Sequence, residues 1–223
     1  MINNQDIKFF SNKKIFITGH TGFKGSWLTK ILAQNNAVVL GYSLEAPKNS
    51  HFTLLNLEQE VSSVYGDIRD KERLSNAISE FAPEIVFHLA AQPLVRLSYQ
   101  DPVATMETNI MGSVNLLDAV RNTESIRSLV FVTSDKCYEN LDWVWGYREN
   151  DRLGGRDPYS ASKGAAEIVY SSYQRSFFQS FRPLGSASVR AGNVIGGGDW
   201  ALDRLIPDCI RAIESEKPLK IRN

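Results

Sequence analysis

The chain has 223 residues, enough for one complete hydrophobic core and part of a second domain. Its 25 Lys and Arg balance its 25 Asp and Glu, so charge gives no reason to expect binding to nucleic acid or to an anionic membrane. Cys137 and Cys209 form neither a disulfide framework nor a metal spacing, and no metal is expected. The N-terminus lacks a signal-peptide pattern, and no apolar run approaches the roughly 20 residues that span a bilayer. We therefore expect a cytoplasmic protein.

Strands and helices are predicted to alternate along most of the chain. The predicted strands are 14–18, 37–42, 61–65, 85–89, 128–133 and 187–190. The predicted helices are 22–35, 70–81 with Asp70 as N-cap, 102–121, 158–180 and 205–216. The run from Leu129 to Val132 is apolar at every position, as expected of a parallel strand buried on both faces. This alternation predicts an α/β fold with a doubly wound parallel sheet of the Rossmann type.

The pattern changes after Asn193. A glycine loop at 196–199 precedes the helix 205–216, and residues 217–221 are predicted to begin a strand that has no visible partner. We expect residues 1–192 to form the Rossmann domain and residues 193–223 to begin a substrate-binding domain, in a chain that is a piece of a longer protein. The alternative is a frayed C-terminal tail on a complete domain.

Three glycines follow the first strand and are typical of a dinucleotide site, although such a turn is often only a turn. Gly19, Gly22 and Gly25 would let backbone N–H groups approach a pyrophosphate at the start of the next helix. The second strand has no acid at its tip to bind the adenine ribose. No arginine precedes Arg69 to meet a 2′-phosphate, and the lack of this arginine favours NAD over NADP. Asp67, just past the third strand, is either an adenine contact or a local turn residue.

A proton-transfer group is predicted from two short motifs. Tyr159 and Lys163 share one face of a helix, and the ammonium is expected to lower the phenol pKa from about 10, so that the phenol takes a proton from an alcohol. Ser134, Asp135 and Lys136 end the fifth strand, where open α/β sheets bind ligands. Ser134 suits a substrate hydroxyl, and the next two residues supply an acid and a base. The alternative is a simple capping turn.

Together these motifs resemble a known family, the extended short-chain dehydrogenases/reductases, which includes NAD-dependent epimerases and dehydratases. The family pattern appears in Thr18-Gly19-x-x-Gly22-x-x-Gly25, His88-Leu89-Ala90-Ala91, Asn109, Tyr159-x-x-x-Lys163 and Arg190-x-x-Asn193-Val194. A narrower resemblance, to the CDP-glucose 4,6-dehydratases, rests on GHTGFKGSWL at 19–28, AQPLVR at 91–96, TSDKCY at 133–138 and NVIGGGDW at 193–200.

The resemblance implies a mechanism. Tyr159, helped by Lys163 and Ser134, takes the proton of the sugar 4-hydroxyl while C4 is oxidised by NAD. Asp135 protonates the departing 6-hydroxyl. In the related dTDP-glucose dehydratases a glutamate removes the C5 proton; here Lys136 stands in its place, and that Lys136 is the base is a hypothesis. A lysine serves as base only with a lowered pKa, which a buried site near a second cation such as Lys163 would provide.

The resemblance also implies ligands and partners. NAD contacts are expected from Gly19, Thr21, Gly22, Phe23, Lys24, Gly25, Asp67, Ile68, Leu89, Ala90, Ala91, Tyr159 and Lys163. Contacts to the nucleotide sugar, CDP-glucose, are expected from Gln92, Asn193, Arg204 and Leu205, although Arg204 could equally be a solvated helix residue. A homodimer, or a dimer of dimers, is expected through the helices 102–121 and 158–180, although Ile168, Val169, Phe177 and Phe178 could as well be core. The family feeds deoxysugars into surface polysaccharides.

Two other functions remain open at this point. A nucleotide-sugar 4-epimerase of the same superfamily would keep Tyr159, Lys163 and Ser134 but would not need Asp135 and Lys136. A non-catalytic NAD-binding protein on the same fold would commonly lose the tyrosine or the lysine.

Overall fold

Six parallel strands form one sheet at the centre of the fold. The computed structural model describes residues 7–180 and 184–219. The strands are β1 (Lys14–Thr18), β2 (Val38–Ser43), β3 (Ser62–Tyr65), β4 (Ile85–His88), β5 (Ser128–Ser134) and β6 (Gly185–Ala191). Their order is β3-β2-β1-β4-β5-β6, and every pair is parallel. The predicted Rossmann-type sheet is therefore confirmed, with its topological switch between β1 and β4.

The helices follow the predicted alternation, with two short additions. They are α1 (Phe23–Gln34), α2 (His51–Leu54), α3 (Lys71–Phe81), α4 (Val95–Gln100), α5 (Pro102–Met106), α6 (Gly112–Arg121), α7 (Pro158–Tyr173) and α8 (Leu205–Glu214). Asp70 caps α3 as predicted, because its side chain accepts a hydrogen bond from the Arg73 N–H. The short helices α2 and α4 were not predicted. Among the residues described, no helix is long and apolar enough to cross a membrane.

Two predicted long helices contain a wider turn. Between α5 and α6 the chain forms a π turn at Glu107–Met111, and α7 runs into a second π turn at Gln174–Phe178. Such turns bulge single residues out of the regular ladder, often at functional sites. The first of them contains Asn109, whose side chain is used at the site below.

The core lies on both faces of the sheet. Ile15 and Ile17 point to the layer that contains Leu32 of α1, whereas Phe16 points to the larger layer beneath α3, α6 and α7. This is the two-residue period of a strand with both faces covered. The prediction that β5 is buried on both faces is wrong, because Leu129 and Phe131 are buried while Val130 and Val132 are only half-buried.

Beyond β6 the chain leaves the sheet and reaches α8. Residues 217–219 of the predicted strand 217–221 have no regular structure, and the rest of it lies outside the described residues. The division at residue 193 stays a prediction.

A buried histidine joins the two central strands to a helix. His88 Nδ1 lies 2.7 Å from Thr18 Oγ1 of β1, and His88 Nε2 lies 3.2 Å from Ser113 Oγ of α6. Burial and, to a smaller extent, the charge of Lys163 lower the pKa of His88 to about 3. His88 is therefore neutral in the folded protein at ordinary pH.

We expect His88 to make the fold acid-sensitive. Its pKa in the folded state lies below the unfolded value of 6.5, so its stabilisation is complete above pH 6.5 and is lost as pH falls toward 3. The loss is up to about 1.4 kcal/mol per pH unit. The free energy of unfolding, measured with urea across this pH range, should fall less steeply with decreasing pH for His88→Gln than for the wild type. This difference in slope is expected whatever the absolute stability of the variant. Equal slopes would contradict the assignment.

Candidate active site

The glycine turn after β1 is built by close backbone contact. Gly19 has φ +76°, and a Cβ there would lie 2.7 Å from the Ala90 nitrogen of the neighbouring β4 end. Thr18 Oγ1 accepts hydrogen bonds from the N–H groups of Leu89 and Ala90, each at 3.2 Å. A Cβ on Gly25 would lie 2.0 Å from the Gly19 oxygen. These positions require glycine for tight packing between β1, β4 and α1.

A polar cluster that was not predicted lies at the tip of β2. His20 is fully buried, with Nδ1 3.0 Å from Ser43 Oγ and Nε2 2.9 Å from Ser63 Oγ. Thr21 Oγ1 is 2.8 Å from the same Ser43 hydroxyl. Burial lowers the pKa of His20 to about 4. The place where many dinucleotide sites carry a ribose-binding acid is therefore occupied here by neutral hydroxyl and imidazole groups.

Asp67 and Ile68 are both engaged within the protein. Asp67 Oδ1 accepts the Arg69 N–H at 2.9 Å, and Asp67 Oδ2 lies 2.7 Å from Arg69 Nη2. The hydrogen bonds from Arg69 lower the pKa of Asp67. These are the contacts of a local turn residue, so a contact to adenine stays a prediction. The Ile68 side chain is buried against Gly112, so a cofactor contact at this position would have to come from its main chain.

Tyr159 and Lys163 lie together near the start of α7. The Lys163 Nζ is 5.9 Å from the centroid of the Tyr159 ring, and both side chains are buried. Burial first and the charge of Lys24 second lower the pKa of Lys163 to about 8. Burial raises the pKa of Tyr159, and a hydrogen bond with Ser134 offsets part of that rise. The expected lowering of the phenol pKa is thus wrong for this structure, because desolvation disfavours both charged forms.

The three residues that end β5 form a capped turn beside this pair. Ser134 Oγ donates to Asp135 Oδ1 at 3.0 Å and accepts the Lys136 N–H at 3.3 Å. Both the acid and the base of this turn are exposed. The buried setting expected for Lys136 is therefore wrong. The cation that acts on Lys163 is Lys24.

Lys24 belongs to the same edge of the sheet. Its pKa is lowered by burial first and then by the charge of Arg204, and Asp135 raises it in part. The charges of Asp135 and Arg204 also act on Tyr159. The fold thus places the glycine turn, the β5 end, the start of α7 and the residue before α8 around one polar region.

A buried amide network fixes the start of α7. Asn109 Nδ2 donates to Gln92 O at 3.1 Å and to Ser162 Oγ at 2.8 Å. Ser162 Oγ donates in turn to Tyr159 O at 2.6 Å, and Tyr159 N–H donates to Ser98 Oγ at 3.1 Å. Ser98 and Ser162 were missed, because isolated serines on helices carry no distinguishing sequence signal.

The predicted substrate-binding residues differ in whether their side chains are already bonded within the protein or are exposed. The Gln92 amide is held by Leu94 and by Thr105 Oγ1, so its substrate contact stays a prediction. Arg204 Nη1 lies 2.8 Å from Asp199 Oδ2, which places it in an ion pair rather than free in solvent. Asn193 and Leu205 are exposed.

The glycine loop before α8 packs on α1 and α2. Trp27 Nε1 donates to Gly197 O at 3.0 Å, and the Trp27 ring stacks on His51 with centroids 4.6 Å apart. Gly198 has φ +80°, and a Cβ there would lie 2.2 Å from the His51 ring. The loop is therefore held close to the glycine turn.

Comparison with known proteins identifies the class. The chain matches the family described as GDP-mannose 4,6 dehydratase over residues 16–217, and it belongs to this family. This confirms the family that the sequence motifs predicted.

Individual proteins of known activity are also similar to this chain. The chain is 56% identical to a CDP-glucose 4,6-dehydratase of Salmonella typhimurium, over 98% of this chain and 62% of the relative. It is 32% identical to a CDP-paratose 2-epimerase of Salmonella typhi, over 84% of this chain and 59% of that protein. Among solved structures, a Thermus thermophilus UDP-glucose 4-epimerase in complex with NAD aligns with a TM-score of 0.72 at 31% identity, covering 85% of this chain and 58% of that one. The chain spans about three fifths of the length of these relatives.

We expect Gly25→Ala to destabilise the protein, because its Cβ would meet the Gly19 backbone oxygen at 2.0 Å. Overpacking of this kind costs about 1–3 kcal/mol, which lowers Tm by several degrees in a chain of this size. Gly197→Ala is the matched control, since a Cβ there meets nothing within 4 Å. Thermal unfolding that fails to separate the two variants would show that the turn tolerates a side chain.

Proposed function

We propose that this chain carries the NAD-binding and acid–base part of an enzyme that converts CDP-glucose to CDP-4-keto-6-deoxyglucose by NAD-dependent dehydration. This is a hydro-lyase reaction. Its product feeds deoxysugar synthesis for surface polysaccharides such as the lipopolysaccharide O-antigen. The observation that carries the proposal is the presence of Asp135 and Lys136 directly after Ser134, at the sheet edge that also holds Tyr159 and Lys163. The 56% identity to a CDP-glucose 4,6-dehydratase supports the choice of substrate.

The residues at the glycine turn fit a dinucleotide. No side chain caps the first turn of α1, Gly19 and Gly22 carry no side chain, and the side chains of His20 and Thr21 between them are hydrogen-bonded to Ser43. Such a terminus favours a pyrophosphate through its N–H groups and dipole. Bound NAD would supply the acceptor for the hydrogen removed at C4 and the donor that returns it at C6.

The protein residues then perform the proton transfers. Tyr159 takes the proton of the 4-hydroxyl, with Ser134 hydrogen-bonded to it. The buried Lys163 favours the phenolate when it carries its proton. Oxidation at C4 acidifies the C5 proton. Lys136 is the proposed base, and because it is exposed in this chain, it needs bound substrate to cover it before it can act. Asp135, in its protonated form, gives a proton to the 6-hydroxyl, which leaves as water. When hydrogen returns to C6, C5 takes back the proton held by Lys136. The cycle is redox-neutral, so the cofactor would have no need to leave.

We propose that the chain acts in the cytoplasm as a homodimer, or a dimer of dimers, through the helices 102–121 and 158–180. Val103 and Ile168 are more than half exposed on these helices and are available to such an interface. Phe178 belongs to the core, and Val169 and Phe177 are partly buried and pack against it. The proposed interface therefore does not include these three residues.

The substrate assay tests the proposal directly. The full-length protein should convert CDP-glucose in the presence of NAD to a 4-keto-6-deoxy sugar, detected by its absorbance in alkali, with little product from dTDP- or UDP-glucose. Tyr159→Phe is the matched inactive control, since it lacks only the phenolic oxygen. No product from any of the three nucleotides would overturn the dehydratase, and epimerised sugar instead would favour the 4-epimerase.

The identity of the base is tested by proton exchange at C5. Lys136→Ala should abolish exchange of the C5 proton with solvent while NAD stays bound, because the base is lost and the glycine turn is untouched. Lys24→Ala is the comparison, since Lys24 lies at the same edge of the site and its pKa is lowered. Full exchange in Lys136→Ala, with loss of exchange in Lys24→Ala that still holds NAD, would transfer the role of base to Lys24.

A further inference from the structure

A buried ion pair lies behind the acid–base group. Arg190 Nη2 of β6 is 2.9 Å from Glu167 Oε2 of α7, and their side chains are 16% and 3% exposed. Glu167 also accepts hydrogen bonds from Thr133 Oγ1 and, at 3.0 Å, from Ser188 Oγ. Burial would raise the pKa of Glu167, but the hydrogen bonds from Arg190 and Thr133 bring it below its ordinary value. The pair therefore joins α7, one turn after Lys163, to the ends of β5 and β6.

The same arginine also holds the chain that joins the two catalytic groups. Residues 138–157, here called the connecting segment, run from just after Lys136 to just before Tyr159. Arg190 Nη1 donates to Tyr138 Oη at 2.8 Å and to Glu149 O at 2.9 Å. The guanidinium carbon lies 4.8 Å from the centroid of the Tyr138 ring. One guanidinium thus links the connecting segment to the sheet and to Glu167.

The connecting segment is closed at its base and open at its tip. Glu139 N–H donates to Arg152 O, and Gly154 N–H donates to Cys137 O, each at 2.9 Å. Val144, at the tip, is 97% exposed. The tip therefore adds little anchorage, and the position of the segment depends on its base and on Arg190.

We propose that Arg190, held by Glu167, is a positioning residue that sets the placement of the Ser134–Lys136 turn relative to Tyr159. The hydrogen bonds of Arg190 go to Glu167, Tyr138 and Glu149 rather than to the proposed acid–base groups. Arg190 fixes the connecting segment against β6, so that the acid and base at one end and the phenol at the other meet the same sugar. A displacement of about 1 Å in such a site costs on the order of 10²-fold in rate. The kinetic consequence rests on the proposed function.

The first test needs no substrate. Arg190→Met in the full-length, NAD-loaded protein should speed amide hydrogen exchange in residues 138–157. Arg152→Met is the matched control. It removes an ion pair of the same segment, Arg152 Nε to Glu139 Oε2 at 2.8 Å, in which the arginine side chain is 80% exposed. Exposed pairs contribute little, so this variant should exchange like the wild type. Exchange in Arg190→Met as slow as in the wild type overturns the inference.

The second test separates positioning from stability. With CDP-glucose, Arg190→Met should lower kcat by about 10- to 100-fold, with KM within about twofold of the wild type and the NAD content unchanged. The kcat of Arg190→Lys should lie between those of Arg190→Met and the wild type, because one ammonium cannot reproduce the donors that the guanidinium directs to Glu167 and to the connecting segment.

A double variant guards against simple unfolding. Arg190→Met with Glu167→Leu replaces the buried pair by apolar groups, which commonly restores stability. The double variant should have a higher Tm than Arg190→Met, while its kcat should stay as low as that of Arg190→Met. Recovery of wild-type kcat in the double variant, or a loss of kcat in Arg190→Met that only follows the folded fraction, overturns the inference. If the wild type converts no sugar nucleotide, the proposed function fails, and the hydrogen-exchange comparison still decides the role of Arg190.

Discussion

The close approach of β1 and β4 at the centre of the sheet is the constraint on which the site depends. Gly19 lies against the Ala90 backbone with no room for a Cβ, and Thr18 Oγ1 binds the N–H groups of Leu89 and Ala90. The strand order reverses at this junction, so the chain diverges to opposite sides and leaves a crevice at the carboxyl ends. The uncapped N-terminus of α1 opens onto that crevice because Gly25 lets the helix pack on the turn.

Desolvation governs the chemistry on the other side of the crevice. Tyr159 and Lys163 are both buried, so each is pushed toward its neutral form. Their proximity alone therefore does not produce a phenolate. The Ser134 hydrogen bond opposes the effect of burial on Tyr159, and Lys24 adds to the effect of burial on Lys163. The proton affinity of the pair thus depends on groups from three separate parts of the chain.

Support for the acid–base groups comes from buried polar networks rather than from apolar packing alone. Asn109 and Ser162 fix the first turn of α7, and Glu167 with Arg190 ties the same helix to β5 and β6. Hydrogen bonds in a buried setting are directional and costly to leave unmade, so they define one arrangement. This suits a site where two ends of a connecting segment must face one substrate.

The sequence by itself determined the alternation of elements, the Rossmann-type sheet, the glycine turn and the family, because these depend on local periodicity and on glycines that few other residues can replace. It also brought Ser134 and Tyr159 to one edge, since the carboxyl ends of parallel strands share that edge. Only the tertiary structure decided what surrounds each group. It left Lys136 exposed, set Lys24 rather than Lys136 as the cation acting on Lys163, and raised the pKa of Tyr159 instead of lowering it. Burial and charge pairing of this kind arise between residues distant in the chain, such as Glu167 and Arg190, and no local pattern records them.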